Sequence, residues 1–169
     1  YAILSMAYDP ILKKIPVAGT VFIASSMSIS FIYGNLAVSP FLNYFVLLFA
    51  GMAFFAGFGR ELLITLRDVE GDKKIKATTL PMLLGPKITV LLANASIFVA
   101  IALSMVPLFY YLPWPYFVLI IISDSLFFLA TSIVALKQDY AALSKARNYT
   151  LYALMAGILA FATLGLQLH

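Results

Sequence analysis

RELLITLRDVEGDKKIKATTLPMLLGPK, residues 60–87, is a charged island in an otherwise apolar chain. It holds four of the seven acidic residues (Glu61, Asp68, Glu70, Asp72) and six of the eleven basic ones (Arg60, Arg67, Lys73, Lys74, Lys76, Lys87). The 169 residues are 63% hydrophobic and only 11% charged. A water-soluble domain carries about 25% charged residues, so most of this surface must face lipid. The fold class that follows is all-α, a polytopic transmembrane helical bundle, with residues 1–169 forming one transmembrane domain. The absence of Cys excludes a disulfide framework, a thiol nucleophile and a zinc–thiolate site. The net charge is a modest +4 and its placement says more than its size; no nucleic-acid partner is expected. Tyr1–Ala7 is apolar but lacks the basic start of a secretory signal.

Outward from the island, apolar runs fall at about 17–33, 41–59, 88–106, 113–136 and 148–167. Each approaches the roughly 20 residues that carry a helix across a bilayer. Pro or Gly punctuates the breaks between them. Tyr1–Ala7 reads as the end of a sixth helix. Positive charge sorts the connections. Lys13 and Lys14 precede the first span, residues 60–87 follow the second, and Lys137, Lys145 and Arg147 follow the fourth. The alternate loops, GNLAVSP and PLFYYLPWP, carry no charge. By the positive-inside rule residues 60–87 are cytoplasmic, in an integral protein of the cell membrane. Tyr110, Tyr111, Trp114 and Tyr116 fit an aromatic belt at the opposite interface.

If the second span continues as a helix through residues 60–76, Glu61, Thr65, Asp68 and Asp72 fall at i, i+4, i+7 and i+11, on one face. Arg60, Arg67 and Lys74 make a parallel basic stripe, and Glu70 lies off the acid face, four before Lys74. Gly71 weakens the helix. Like charges at i and i+4 cost an isolated helix about 0.2–0.5 kcal/mol, so helix stability does not explain Asp68 beside Asp72. Two readings stand. A divalent cation relieves the repulsion, and two carboxylates plus waters suit Mg²⁺. Alternatively the segment is a solvated charged loop, a common feature.

RDVEGDKKIKATTLPMLLG resembles the second aspartate-rich motif of the UbiA superfamily of intramembrane prenyltransferases, a D-x-x-D-x-x-G-D pattern followed by a basic residue and T-L-P. Asp68, Gly71 and Asp72 match its later positions, and Thr79, Leu80 and Pro81 match T-L-P. YDPILKKIPVAGTVFIA resembles the family's stretch from a tyrosine to L-K-R, with Lys13 and Lys14 on the basic pair. The R-E opening and E-G-D ending are most similar to archaeal members that make an ether-lipid precursor. The resemblance implies the C-terminal part of a nine-helix fold, with a first aspartate motif in a preceding part. Thr65 stands where the family usually has its first aspartate; relatives that make menaquinone precursors have Asn there.

The resemblance further implies Mg²⁺ held by Asp68 and Asp72, with Glu61 one turn before Thr65 as a further candidate ligand and Thr65 near metal-bound water or phosphate. It implies that an isoprenyl diphosphate such as geranylgeranyl diphosphate is gripped by Lys13 and Lys14 as point charges, by the Tyr8 hydroxyl and by Arg67. Each has a plainer alternative: Lys13 and Lys14 as positive-inside anchors, Tyr8 as an interfacial tyrosine, Arg67 snorkelling to headgroups. The implied activity is transfer of the prenyl group to a lipophilic or glycerol-phosphate-type acceptor, or to an aromatic carbon as in quinone-making relatives. Asp124 lies mid-span. Intramembrane carboxylates are functional by default, and a transporter with Asp124 in its pathway is the rival class. The structural reading is an interhelical bond from Asp124 to Asn94, Ser123 or Ser125. His169 is lone and terminal.

Overall fold

The apolar runs fold as helices because a backbone in lipid must satisfy its own polar groups. The computed structural model describes residues 16–74, 78–110 and 114–165. In order these form α1 (Pro16–Val38), α2 (Tyr44–Lys74), α3 (Leu80–Ser104), a 3₁₀ turn (Val106–Phe109), α4 (Trp114–Leu136) and α5 (Tyr140–Gly165). The first four helices contain stretches long and apolar enough to cross a membrane. Short connections make consecutive helices antiparallel. The ends of α2 and α4 therefore share one end of the bundle with the starts of α3 and α5, and the described basic residues gather there.

α2 is the central element, packed by α1, α3 and α5. Its 31 residues make about 46 Å at 1.5 Å per residue, against a hydrocarbon core of about 30 Å. The helix thus outruns the bilayer, and its surplus is the charged segment. Gly71 does not interrupt it. The α2–α3 seam is close: an ideal Cβ on Gly59 would stand 2.7 Å from the Ala93 carbonyl oxygen and 2.7 Å from Ile97 Cγ1. Ser96 Oγ donates to the Phe55 carbonyl across that seam at 2.8 Å.

Two helix starts position the charged end. α3 opens within the island, with Thr79 as extended N-cap residue and Pro81 in the first turn, where its missing N–H costs nothing. Five residues on, Gly85 breaks the helix at φ +77°, a conformation costly for any residue with a Cβ. The main run of α3 then restarts at Pro86. α5 starts at Tyr140, eight residues before the expected span. Asp139 Oδ1 accepts the Ala142 N–H at 2.7 Å, an N-cap bond. Lys145 and Arg147, expected in the connection, are therefore helical.

Polar groups stitch the spans together. Asn94 Nδ2 donates to the Thr131 carbonyl (3.3 Å), and Ser123 Oγ to the Ala153 carbonyl (2.8 Å). Asp124 does make an interhelical contact, but its partner is Ser104 of α3, at 2.6 Å. Asn94 and Ser123 are committed to backbone carbonyls, while Ser125 points outward. The aromatic belt also needs correcting. Trp114 is 74% exposed and Tyr110 49%, as an interface requires. Tyr116 is fully buried instead, edge-to-face with Phe49 at 6.1 Å. Two residues into α4, it has turned inward into a cluster with Phe49, Ile120 and Ala160. Tyr111 lies outside the described residues.

Candidate functional site

Asp68 and Asp72 stand one turn apart on the surplus end of α2, and both line an open cavity of about 440 Å³. The opposite wall is Gln138, Tyr140 and Leu143, from the α4–α5 connection and the first turn of α5. Leu66 and Leu143 give the cavity an apolar side; Arg67, Glu70 and Gly71 complete the α2 side. The Asp139 cap thus matters for the site, since it brings Tyr140 and Leu143 opposite the aspartates. That wall was missed from sequence. Its one local signal is an Asp immediately before an apolar-periodic run.

Arg67 forks onto Asp68, with Nε to Oδ1 at 2.7 Å and Nη2 to Oδ2 at 2.6 Å. Such bidentate pairs are among the stronger polar contacts. The bond to Asp68 holds the Arg67 guanidinium above its ordinary pKa. In this arrangement the fork occupies both Asp68 oxygens, so a cation at Asp68 must share or displace it. The same planar fork fits phosphate oxygens.

The remaining candidates separate. Thr65 turns its hydroxyl back into its own helix, to the Glu61 carbonyl at 2.9 Å and the Leu62 carbonyl at 3.1 Å. Its proton is spent on the backbone, leaving only lone pairs to offer outward. Glu61 is half-buried two turns before Asp68 and does not line the cavity. Glu70 is off the acid face as expected, but it pairs with Lys73 at 3.1 Å rather than Lys74. Both partners are largely exposed. Lys13, Lys14 and Tyr8 lie outside the described residues.

Among the described residues no three His, Cys, Asp or Glu side chains form a metal-sized group. The donor set at the cavity is two carboxylates from α2. That suits a hard cation that keeps several waters and completes its shell with substrate oxygens, which is Mg²⁺ chemistry rather than that of an all-protein cage.

Residues 1–155 match the UbiA prenyltransferase family. Over 158 residues the chain is 29% identical to digeranylgeranylglyceryl phosphate synthase of Archaeoglobus fulgidus, covering 91% of this chain and 54% of that protein. Over 164 residues it is 34% identical to the synthase of the same name from Methanopyrus kandleri, covering 95% and 58%. The chain thus spans about half the length of the curated relatives it matches. A solved structure concerned with digeranylgeranylglyceryl phosphate synthase in membranes superposes with a TM-score of 0.84 at 26% identity, over 95% of this chain and 57% of that one. Sequence and fold agree along nearly the whole chain, including the charged end of α2, and the protein belongs to the UbiA prenyltransferase family.

Proposed function

We propose that the protein transfers an isoprenyl group, geranylgeranyl in this reading, from its diphosphate to a glycerol-phosphate-type lipid acceptor, as in archaeal ether-lipid synthesis. The observation that carries this reading is the pair Asp68 and Asp72 on one wall of an open cavity at the polar end of an otherwise apolar bundle. The names of the relatives support the acceptor class. Family membership sets the transporter reading aside.

Asp68 and Asp72 would hold Mg²⁺, which when bound supplies positive charge against the diphosphate leaving group. Glu61 does not line the cavity, and in this reading the metal is left to Asp68 and Asp72. Arg67, forked on Asp68, is positioned to exchange carboxylate for phosphate oxygens. Lys13, Lys14 and Tyr8 are proposed to neutralise and orient the diphosphate. Breaking the C–O bond to the diphosphate leaves an allylic carbon with carbocation character; the acceptor hydroxyl oxygen bonds to it, and its proton passes to the released diphosphate. The apolar interior keeps water from competing. The charged segment is proposed to lie on the cytoplasmic side of the cell membrane, the side on which basic connections accumulate.

The test is an assay of full-length protein in phospholipid nanodiscs with labelled geranylgeranyl diphosphate, Mg²⁺ and a glycerol-phosphate ether. Label appearing in a diether product supports the reading. Absence of any prenyl transfer, with and without added metal, would sink it.

A further inference from the structure

The Arg67–Asp68 fork joins neighbours in sequence, and helix geometry does not bring such neighbours together: side chains at i and i+1 leave the helix about 100° apart. The pair meets because the long Arg67 side chain bends round the helix, with Nε on Oδ1 at 2.7 Å and Nη2 on Oδ2 at 2.6 Å. Rotation about the arginine's own torsions undoes such a contact without moving any backbone. Both residues line the open cavity, and the Asp68 side chain is 41% exposed.

The two oxygens that the fork occupies are the ones a metal at Asp68 would use. Two positive groups on one carboxylate repel each other across a few ångströms, so Asp68 favours one partner or the other. A guanidinium that leaves keeps its charge, because arginine does not deprotonate in proteins. The wall facing it, Gln138, Tyr140 and Leu143, offers no carboxylate. On its own wall the other carboxylates are Glu70, held by Lys73 at 3.1 Å, and Asp72, the second proposed metal ligand. The anion that takes Arg67 then has to arrive with the ligand. A diphosphate presents pairs of oxygens that suit the planar fork as a carboxylate does.

We propose that Arg67 is a latch on Asp68: it keeps the carboxylate from metal until the diphosphate of the prenyl donor draws the guanidinium away, so that metal and donor are taken up together. The assignment rests on the proposed function above and adds how the metal site is regulated. Arg67 opposes metal in the empty site and grips phosphate in the filled one. Each ligand thereby favours the other, which is a positive coupling between them.

The test uses full-length protein in nanodiscs of neutral phosphatidylcholine. It is titrated with Mn²⁺ alone, read by electron paramagnetic resonance, and separately, with metal removed by a chelator, with the thiolodiphosphate analogue of geranylgeranyl diphosphate, read by calorimetry. Arg67→Gln is expected to tighten Mn²⁺ binding at least about threefold, a modest gain because the fork is partly exposed. It should weaken metal-free binding of the analogue about tenfold. In an Asp68→Asn background Arg67→Gln should leave Mn²⁺ binding within about twofold, since the latch then has nothing to hold. Lys73→Gln removes a nearby charge that is not forked on Asp68 and should also leave it within about twofold. If Arg67→Gln does not fold, Arg67→Met reads the same prediction, because it keeps the apolar stem of a side chain only 12% exposed. Three results would overturn the latch. Mn²⁺ affinity could stay unmoved in the Arg67 variants. It could rise as much in Lys73→Gln or in the Asp68→Asn background, which would leave only bulk charge. Affinity for the analogue could stay unmoved, which would leave the fork a static ion pair. A wild type that shows the coupling yet transfers no prenyl group would fail the proposed function and leave the latch standing; normal transfer with any of the three results would fail the latch alone.

Discussion

Asp68 and Asp72 sit four apart on α2, a spacing at which like charges cost an isolated helix about 0.2–0.5 kcal/mol. Their shared cavity gives that spacing a use. Asp68→Asn or Asp72→Asn should each lower turnover of the full-length protein by about a hundredfold or more, since under the proposed function each removes charge directed at the leaving group. Glu70→Gln should leave turnover within about twofold, because an exposed surface pair such as Glu70–Lys73 contributes little. Initial rates with labelled prenyl diphosphate check both; unchanged rates in the two Asp variants would reduce the segment to a solvated loop. Thr65→Asp is the finer probe. The threonine proton is bound into its own helix, and restoring the family's aspartate should retain or sharpen Mg²⁺ dependence. A raised KM for the diphosphate would instead set position 65 against phosphate. At this scale the acid face was legible from spacing alone. The Arg67–Asp68 fork was not, because adjacent residues meet only through their rotamers.

Between elements, glycine decides how near α2 and α3 come. A Cβ at Gly59 would press on the Ala93 carbonyl oxygen and on Ile97, and backbone cannot step aside as a flexible side-chain end can. Gly59→Val should destabilise the bundle by about 1–3 kcal/mol, the usual cost of overpacking, read as a lower Tm in detergent. A Tm equal to wild type would mean that the seam is looser than described. Asp124 belongs to the same scale. Ser104 Oγ lies within hydrogen-bond distance of both the Ile101 carbonyl (2.7 Å) and Asp124 Oδ2 (2.6 Å). One hydroxyl proton cannot serve both; the arrangement closes when Asp124 carries a proton and donates it to Ser104. Asn offers an N–H₂ in the same place, so Asp124→Asn should keep Tm and prenyl transfer close to wild type. A loss of transfer as large as that of Asp68→Asn would make Asp124 part of the reaction.

For the whole molecule, the antiparallel helices bring the described basic residues to one end and Trp114 to the other. The chain lacks Cys, so single cysteines introduced at Lys73, Lys145 and Trp114 report cleanly on sidedness. Residues 73 and 145 should be labelled from the same side by an impermeant maleimide, and residue 114 from the other. Opposite labelling of 73 and 145 would dismantle the topology.

The unbroken run of α2 through Gly71 into its charged end is shown by the structure, whereas hydrophobic length and charge alternation were enough, from sequence, for the all-helical membrane class and the order of the helices. Those properties are local: lipid demands internally bonded helices of a set length, and a helical face follows from spacing. Gly85 and Pro86 marked a boundary before the third span at about 88; the structure starts α3 already at Leu80, with Pro81 in its first turn and the break at Gly85 inside it. Only the tertiary structure decided what those faces meet. It turned Tyr116 from the interface into the core, gave Asp124 the partner Ser104, and set the first turns of α5 against the end of α2. Tyr140 thereby became a wall of the cavity. Contacts of that kind join residues from 20 to about 70 positions apart, and they arise from the register between packed helices, which no local pattern encodes.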